Sequence, residues 1–173
     1  MPVVAILGAN GLVGNALAMD MRRRDFALRA LARKFTPAQR AALGDDAVET
    51  PLLSLSQSEL AKRLEGADIV VNTIGILQGA ESMAVHCEFA ARLAGACAAR
   101  PEKLLIHLSI PGQEQDDRTT YSRSKREGER IIAASGAPYV ILRPGFVIAP
   151  AAYGGSALMR ALAALDNGLD PVD

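Results

Sequence analysis

The sequence lacks the features that would assign it to several common functional classes. Its 173 residues include 19 basic and 19 acidic side chains, so the formal net charge is zero. Without a basic excess there is no electrostatic footprint for nucleic acid, and we expect no nucleic-acid partner. The two cysteines, Cys87 and Cys97, and the two histidines, His86 and His107, show no metal-ligand spacing. The sequence therefore predicts no metal site and no disulfide, with His86 on a helix face and His107 a hydrogen-bonded strand residue.

Long apolar runs are missing as well. The stretch 146–165 is apolar, but Pro150, Gly154, Gly155 and Arg160 interrupt it, which makes it a poor membrane span. The N-terminus has no basic segment followed by a long apolar one, so no targeting signal is predicted. Half of the residues are hydrophobic and 22% are charged. We expect one globular domain over residues 1–173, no membrane span and a cytoplasmic location.

The first fourteen residues contain the clearest motif. A short apolar run at 3–7 is followed by three glycines in the spacing Gly-x-x-Gly-x-x-Gly, and then by an amphipathic helical pattern that extends to residue 24. Strand, glycine turn and helix in this order predict a cradle for the pyrophosphate of a dinucleotide, which the backbone N–H groups of the helix N-terminus would bind. The residues predicted to form this cradle are Gly8, Asn10, Gly11, Leu12, Val13 and Gly14.

Apolar runs and helical patterns alternate along the rest of the chain. Runs typical of buried strands are found at 27–32, 69–74, 104–108 and 139–142. Helical patterns are found at 57–64, 81–99, 120–134 and 155–165. This alternation predicts an α/β fold with a doubly wound parallel sheet, the Rossmann fold.

The residues after the second predicted strand bear on the choice of cofactor. An NAD site usually has an acidic residue there, which accepts a hydrogen bond from the ribose 2′-hydroxyl. Here Arg33 and Lys34 follow the strand. An arginine can pair with a 2′-phosphate through two N–H donors, so the sequence favours NADP over NAD, although a solvated basic pair would look the same.

A second motif lies early in the helical pattern at 120–134. Tyr121 and Lys125 are four residues apart and so share one helix face. An ammonium group close to a phenol lowers its pKa, and such a tyrosine can exchange a proton with a substrate hydroxyl or carbonyl. The pair predicts general acid–base chemistry, although an amphipathic helix with a surface lysine gives the same spacing.

Together the two motifs resemble the short-chain dehydrogenase/reductase superfamily. The glycine spacing is similar to that of its extended and atypical branches, the NAD(P)-dependent epimerase/dehydratase-like proteins. The segments 72–75, 121–129 and 142–145 are also similar to motifs of that branch, and the resemblance extends from residue 3 to about residue 150. Because the chain ends soon after the last of these motifs, we expect its C-terminal substrate region to be short or missing.

The resemblance implies a role for each matching residue. Gly8, Gly11 and Gly14 would hold the pyrophosphate, and Asn72 lies where the fourth strand of the family meets the cofactor. Tyr121 would be the acid/base, with Lys125 as its partner and a contact to the nicotinamide ribose. The remaining matches are Ser109, which would polarise the reacting oxygen, and Arg33, which would bind the 2′-phosphate.

Two kinds of function follow from the resemblance, and the sequence leaves both open. One is an NADP-dependent oxidoreductase or epimerase/dehydratase-like enzyme acting on a small carbonyl or hydroxyl substrate, either as a monomer or as a homo-oligomer. The other is an NAD(P)-binding structural or redox-sensing protein without turnover. The Tyr121–Lys125 pair favours the enzyme, whereas the short C-terminus favours the binding protein. A phosphate-loop NTPase is disfavoured because no Lys-Ser or Lys-Thr follows the glycine turn.

Overall fold

Six parallel strands form one sheet at the centre of the molecule. The structure, a computed structural model, describes residues 1–77, 79, 81–145, 147 and 155–166. The strands lie in the order β3-β2-β1-β4-β5-β6, and each pair of neighbours runs parallel. Their bounds are β1 Val3–Leu7, β2 Ala27–Ala32, β3 Ala47–Glu49, β4 Ile69–Asn72, β5 Leu104–Leu108 and β6 Tyr139–Leu142. The predicted doubly wound parallel sheet is confirmed.

Helices connect the strands. They are α1 Leu12–Arg23, α2 Pro37–Leu43, α3 Gln57–Arg63, α4 Phe89–Ala98, α5 Thr120–Ala134 and α6 Gly155–Asp166. One turn of π-helix, Ala84–Glu88, leads directly into α4, so the helix predicted over 81–99 is present over 82–98 with a π-helical turn within it. Short 3₁₀ turns lie at Gly44–Asp46, Leu52–Ser54 and Glu114–Asp116. Of the apolar stretch 146–165, residues 146 and 148–154 lie outside the described residues. No helix of the described residues has both the length and the apolar character needed to cross a membrane.

The central strands are covered on both faces, because alternate residues of a strand point to opposite sides and meet a different core on each side. In β1, Ala5 and Leu7 join a core that includes Phe89, Leu93 and Ile132 from α4 and α5. The intervening residues Val4 and Ile6 pack on the other side with Ala18 of α1 and Leu43 of α2. This two-sided burial explains why the strands are continuous apolar runs in the sequence.

The sequence missed two elements and misplaced the end of a third. Thr36 and Gln39 form a capping box at the start of α2, with Pro37 at the first helical position, and this signal could have predicted the helix. Strand β3 has three residues, too few to show a period. Strand β4 ends at Asn72 rather than at residue 74, because the Asn72 Oδ1 atom accepts a hydrogen bond from the Ile74 N–H and turns the chain.

Candidate functional site

The sheet has a topological switch point between β1 and β4. Strands β2 and β3 lie on one side of β1. The chain then crosses to the other side of β1, where β4, β5 and β6 follow in order. Ligands of open α/β sheets bind at such a point, beyond the carboxyl ends of the strands. The turn Gly8–Gly11 and the loop that follows Asn72 both lie there. This edge of the sheet is the candidate site.

Two of the three glycines are required by close approach of the backbone. Gly8 has a φ of +83°, a conformation that side chains disfavour. At Gly14 an added Cβ atom would lie 2.6 Å from the Thr73 Oγ1 atom and closer still to the carbonyl oxygen of Gly8. Thr73 is held in place because its Oγ1–H donates to the Leu7 carbonyl at 2.7 Å. The turn therefore packs tightly against β4.

Gly11 differs from the other two glycines because a side chain there would meet little of the protein. An added Cβ atom would lie 3.3 Å from the Gly8 carbonyl oxygen and would meet no other atom of the described residues within 4 Å. Gly11 is also the N-cap residue of α1, and none of the described side chains caps this helix. Helices α2, α3 and α5 instead begin with capping boxes at Thr36, Ser56 and Thr119. The N-terminus of α1, at Leu12 and Val13, thus has N–H groups that an anion can bind.

Hydrogen bonds join the glycine turn to the segment after β2. The side chain of Asn10 donates to the Lys34 carbonyl at 3.1 Å, and that of Gln39 donates to the Asn10 carbonyl at 3.0 Å. Gln39 was not predicted from the sequence, although its capping box marks it. Arg33 is exposed, and none of the acidic side chains in the described part of the chain pairs with it. Its guanidinium therefore keeps its donors available beside the glycine turn.

Asn72 is buried, and both ends of its amide are engaged inside the protein. Its Oδ1 atom accepts from the Ile74 N–H, so its Nδ2 atom is the donor to the Nδ1 atom of His107, at 3.0 Å. The His107 Nε2 atom, which then carries the proton, is buried and has no hydrogen-bond partner among the described residues. The prediction that the ring of His107 is satisfied is thus right for one nitrogen and wrong for the other. Burial lowers the pKa of His107 to about 3, and the positive charge of Lys125 adds to this effect.

Lys125 lies under the edge of the sheet rather than on the surface. Its side chain is buried, and its Nζ atom donates to the Leu108 carbonyl at 2.5 Å, at the end of β5. Burial lowers the pKa of Lys125 to about 8, against an opposing effect of the nearby Glu129 carboxylate. The lysine therefore remains mainly an ammonium at neutral pH.

Tyr121 is half-buried in the first turn of α5, one helical turn before Lys125. Its ring packs edge-on against the imidazole of His86, with 5.5 Å between the ring centroids and 74° between the planes. We expected Lys125 to lower the pKa of Tyr121, but burial raises it. Within the described part of the chain, the Tyr121 hydroxyl makes no hydrogen bond to Lys125 or to Ser109.

Ser109 follows β5 and is 8% exposed. Its N–H donates to the Leu142 carbonyl at 2.8 Å, while its Oγ atom has no hydrogen bond of standard geometry within the described residues. That hydroxyl still helps to lower the pKa of Glu129. Burial of Glu129 is the largest single effect and acts in the opposite direction, but the hydrogen bonds from Arg143 and Ser109 and the charges of Arg143 and Arg126 together outweigh it. Ser109 and Lys125 are thus brought to the same strand end.

A buried arginine fixes the segment that follows Ser109. Arg126 donates to the carbonyl oxygens of Pro111 and Gly112, each at 2.8 Å, and to that of Ile110 at 3.1 Å. It also pairs with the carboxylates of Asp117 and Glu129, at 3.1 and 3.2 Å. The sequence does not reveal this residue, because its five partners come together only in the fold. The described residues contain no group of three His, Cys, Asp or Glu placed to hold a metal ion.

Comparisons with known proteins agree with this geometry. A family model described as NAD(P)H-binding matches residues 8–165. The chain is 29% identical over 153 residues to a protein of Bacillus subtilis (strain 168) named an uncharacterized sugar epimerase, which covers 82% of this chain and 71% of that protein.

Solved structures share the fold. The enzyme WbmH of Bordetella bronchiseptica, in complex with NAD⁺, superposes with a TM-score of 0.72 at 19% identity, over 97% of this chain and 64% of that one. The UDP-glucuronic acid 4-epimerase of Bacillus cereus, in complex with NAD, gives 0.66 at 18% identity, over 83% of this chain and 56% of that one. The chain thus spans less than two thirds of the length of either structure. It belongs to the NAD(P)H-binding family, and its predicted likeness to the epimerase/dehydratase-like branch of the short-chain dehydrogenase/reductases is confirmed.

Proposed function

We propose that this protein is an NADP-dependent oxidoreductase or epimerase/dehydratase-like enzyme that acts on a small carbonyl or hydroxyl substrate. The observation that carries the proposal is the placement of two features at one edge of the sheet. The glycine turn with the uncapped helix α1 follows β1, and the Tyr121–Lys125 turn of α5 lies at the end of β5. A cofactor held by the first would thus lie beside an acid/base group supplied by the second.

The described residues fit a dinucleotide phosphate. The open space at Gly11 leaves room for a pyrophosphate, and the N–H groups of Leu12 and Val13 offer partial positive charge. Arg33, with Lys34 beside it, would pair with a 2′-phosphate, which favours NADP over NAD. In this arrangement Asn10 and Asn72 act by shaping the loops that hold the cofactor.

Proton transfer would fall to Tyr121. A bound nicotinamide would supply or accept a hydride. Burial raises the pKa of Tyr121, so its phenol is protonated at neutral pH and suited to donate a proton to a carbonyl oxygen as it is reduced. The Lys125 ammonium would stabilise the phenolate that remains. Ser109, which is buried at the end of β5, would donate to the same substrate oxygen.

One observation favours a second candidate function, that of an NAD(P)-binding structural or redox-sensing protein without turnover. The Tyr121 hydroxyl is hydrogen-bonded neither to Lys125 nor to Ser109, and the Lys125 ammonium is engaged by the Leu108 carbonyl. An acid/base group would need to come within hydrogen-bond reach of its partner when the substrate binds. The two functions share the cofactor and differ in turnover.

The cofactor is tested by titrating the purified protein with NADPH and NADH, followed by nicotinamide fluorescence. We expect NADPH to bind more tightly, and Arg33→Ala to weaken NADPH by about 1.5–3 kcal/mol while leaving NADH unchanged. Arg40→Ala is the matched control, because Arg40 already pairs with Glu49 at 2.6 Å. Equal affinities for the two cofactors in the wild type would overturn the NADP assignment.

Turnover is tested with Tyr121→Phe, which removes only the hydroxyl. We expect this variant to bind NADPH normally and to lose roughly 10²-fold or more in kcat with a panel of aldehydes, ketones and quinones. Tyr139→Phe is the control, because Tyr139 lies exposed on β6. A wild-type protein that binds NADPH but oxidises it with no substrate would favour the binding protein. The cytoplasmic location, the single domain over 1–173 and homo-oligomer formation stay predictions.

A further inference from the structure

His86 connects the two halves of the candidate site. Its Nε2 atom is 3.1 Å from the N–H of Ile76, in the loop that follows β4. Its Nδ1 atom is 2.8 Å from the Oγ atom of Ser124, in the turn of α5 between Tyr121 and Lys125. His86 is 2% exposed, so the protein shields both bonds from solvent. One side chain thus contacts both the loop expected to face the cofactor and the helix that carries the acid/base.

The partners of His86 determine where its proton lies. The Ile76 N–H can only donate, so the Nε2 atom must accept and carries no proton. In the neutral ring the Nδ1 atom then carries the proton and donates to Ser124. The Ser124 hydroxyl in turn donates to the Tyr121 carbonyl at 2.9 Å. The chain of bonds from the loop to Tyr121 is therefore complete, and each member has one defined direction.

The backbone around His86 is built for close contact. His86 lies in the π-helical turn Ala84–Glu88, and such turns are frequent at functional sites. Helix α5 approaches this turn at Gly128, where an added Cβ atom would collide with the His86 carbonyl oxygen. The ring of His86 also packs against that of Tyr121. The approach of α5 and the position of the imidazole thus depend on each other.

We propose that His86 is a positioning residue of the active site: as the Nδ1–H tautomer, it holds the loop after β4 and the first turn of α5 in fixed relation, and so places Tyr121 beside the cofactor. The assignment rests on the function proposed above. It adds to that function a residue that acts through Ser124 and Ile76 and touches neither substrate nor cofactor. The two bonds can be broken separately, since Ser124→Ala removes one and His86→Phe removes both while keeping a ring of similar size.

The tautomer can be measured directly by NMR on the 18.2 kDa protein with ¹⁵N-labelled histidine. The chain has two histidines, so His86→Phe assigns the signals. At pH 7 we expect a protonated Nδ1 atom for His86 and, because Asn72 donates to its Nδ1 atom, a protonated Nε2 atom for His107. A proton on the Nε2 atom of His86 would overturn the proposal.

Positioning is tested by two signals that do not require activity, the ring resonance of Tyr121 and the exchange rate of the Ile76 amide. His86→Phe should shift the ring resonance and speed the exchange, whereas Ser124→Ala should change the ring resonance alone. Val85→Ala, a buried substitution in the same π-helical turn, is the control for a general loss of packing. If His86→Phe behaves like Val85→Ala in both signals, His86 has no positioning role.

The link to function is read from NADPH affinity. His86→Phe should raise the Kd by about fivefold or more through the freed loop, while Ser124→Ala and Val85→Ala should change it much less. An unchanged Kd in His86→Phe would show that the loop bond does not serve the cofactor and would overturn that half of the proposal. If the wild type binds no NADPH, the proposed function fails, and the two NMR signals still decide the role of His86.

Discussion

Two glycines of the turn after β1 should serve different purposes: we expect Gly14 to be needed for the fold and Gly11 to be needed for ligand binding. Substituting each glycine separately can distinguish the two. At Gly14 an added methyl group would lie 2.6 Å from the Thr73 Oγ1 atom and closer still to the backbone of Gly8. At Gly11 the same methyl group would meet a single atom, at 3.3 Å. We therefore expect Gly14→Ala to damage the fold and Gly11→Val to damage binding.

The cost at Gly14 can be worked out from these contacts. Overpacking costs about 1–3 kcal/mol, and displacing Thr73 would weaken its hydrogen bond to the Leu7 carbonyl by about 1 kcal/mol. Alanine recovers up to about 1 kcal/mol of helix propensity. The free energy of unfolding should thus fall by about 1–3 kcal/mol, which lowers the Tm by about 2–4 °C for each kcal/mol.

Gly11 should show the reverse behaviour. Its φ of −78° and ψ of 174° are open to any residue, so loss of the glycine N-cap should cost less than about 1 kcal/mol. A valine side chain there would occupy the space assigned to the pyrophosphate, and NADPH binding should be lost. Urea unfolding and a fluorescence titration on both variants complete the experiment. A Gly14→Ala variant as stable as the wild type, or a Gly11→Val variant that binds NADPH normally, would contradict this prediction.

Two further predictions concern stability. Arg126→Met should lower the free energy of unfolding by about 3–5 kcal/mol, because it leaves the buried Asp117 and Glu129 carboxylates with one fewer cation. Arg130→Met should have a much smaller effect, since the Arg130 side chain is half exposed. Equal effects of the two substitutions in urea unfolding would contradict this. A further prediction concerns Lys125, whose pKa falls from 10.5 to about 8 on folding, so that the unfolded chain binds more protons than the folded chain between these pH values. The free energy of unfolding should therefore rise with pH in this range, by up to about 1.4 kcal/mol per pH unit. Lys125→Met should remove this pH dependence, which urea titrations from pH 8 to 10 would show.

The sequence predicted the central strands well because a strand covered on both faces, such as β1, is apolar along its whole length. Strands β1, β2, β5 and β6 have the predicted bounds. The exception is β4, which ends earlier than predicted. The side-chain Oδ1 atom of Asn72 accepts a hydrogen bond from the Ile74 N–H and so competes with the backbone hydrogen bonds between strands. Strand β3 was missed because three residues show no period.

The candidate site was less predictable than the fold. A helical spacing of four places Tyr121 and Lys125 on one face, but it does not say which acceptor the ammonium finds, and this is the carbonyl of Leu108 on a distant strand. The raised pKa of Tyr121 likewise follows from burial, which is a property of the packed structure. His86 has no local motif at all, because its partners lie on a loop and on another helix.

The hydroxyl of Thr73 has a consequence for how the protein acquires its ligand. It lies against Gly8 and Gly14 and bonds to Leu7, 66 residues earlier in the chain. A contact between residues so far apart in the chain forms slowly compared with local helices. The glycine turn therefore obtains its folded shape only late in folding. A chain in which β4 has not yet paired with β1 would contain the three glycines but could not bind the cofactor. Cofactor present during folding would then favour only chains that have passed this step, adding about 2.7 kcal/mol of stability at a concentration of 100 times Kd.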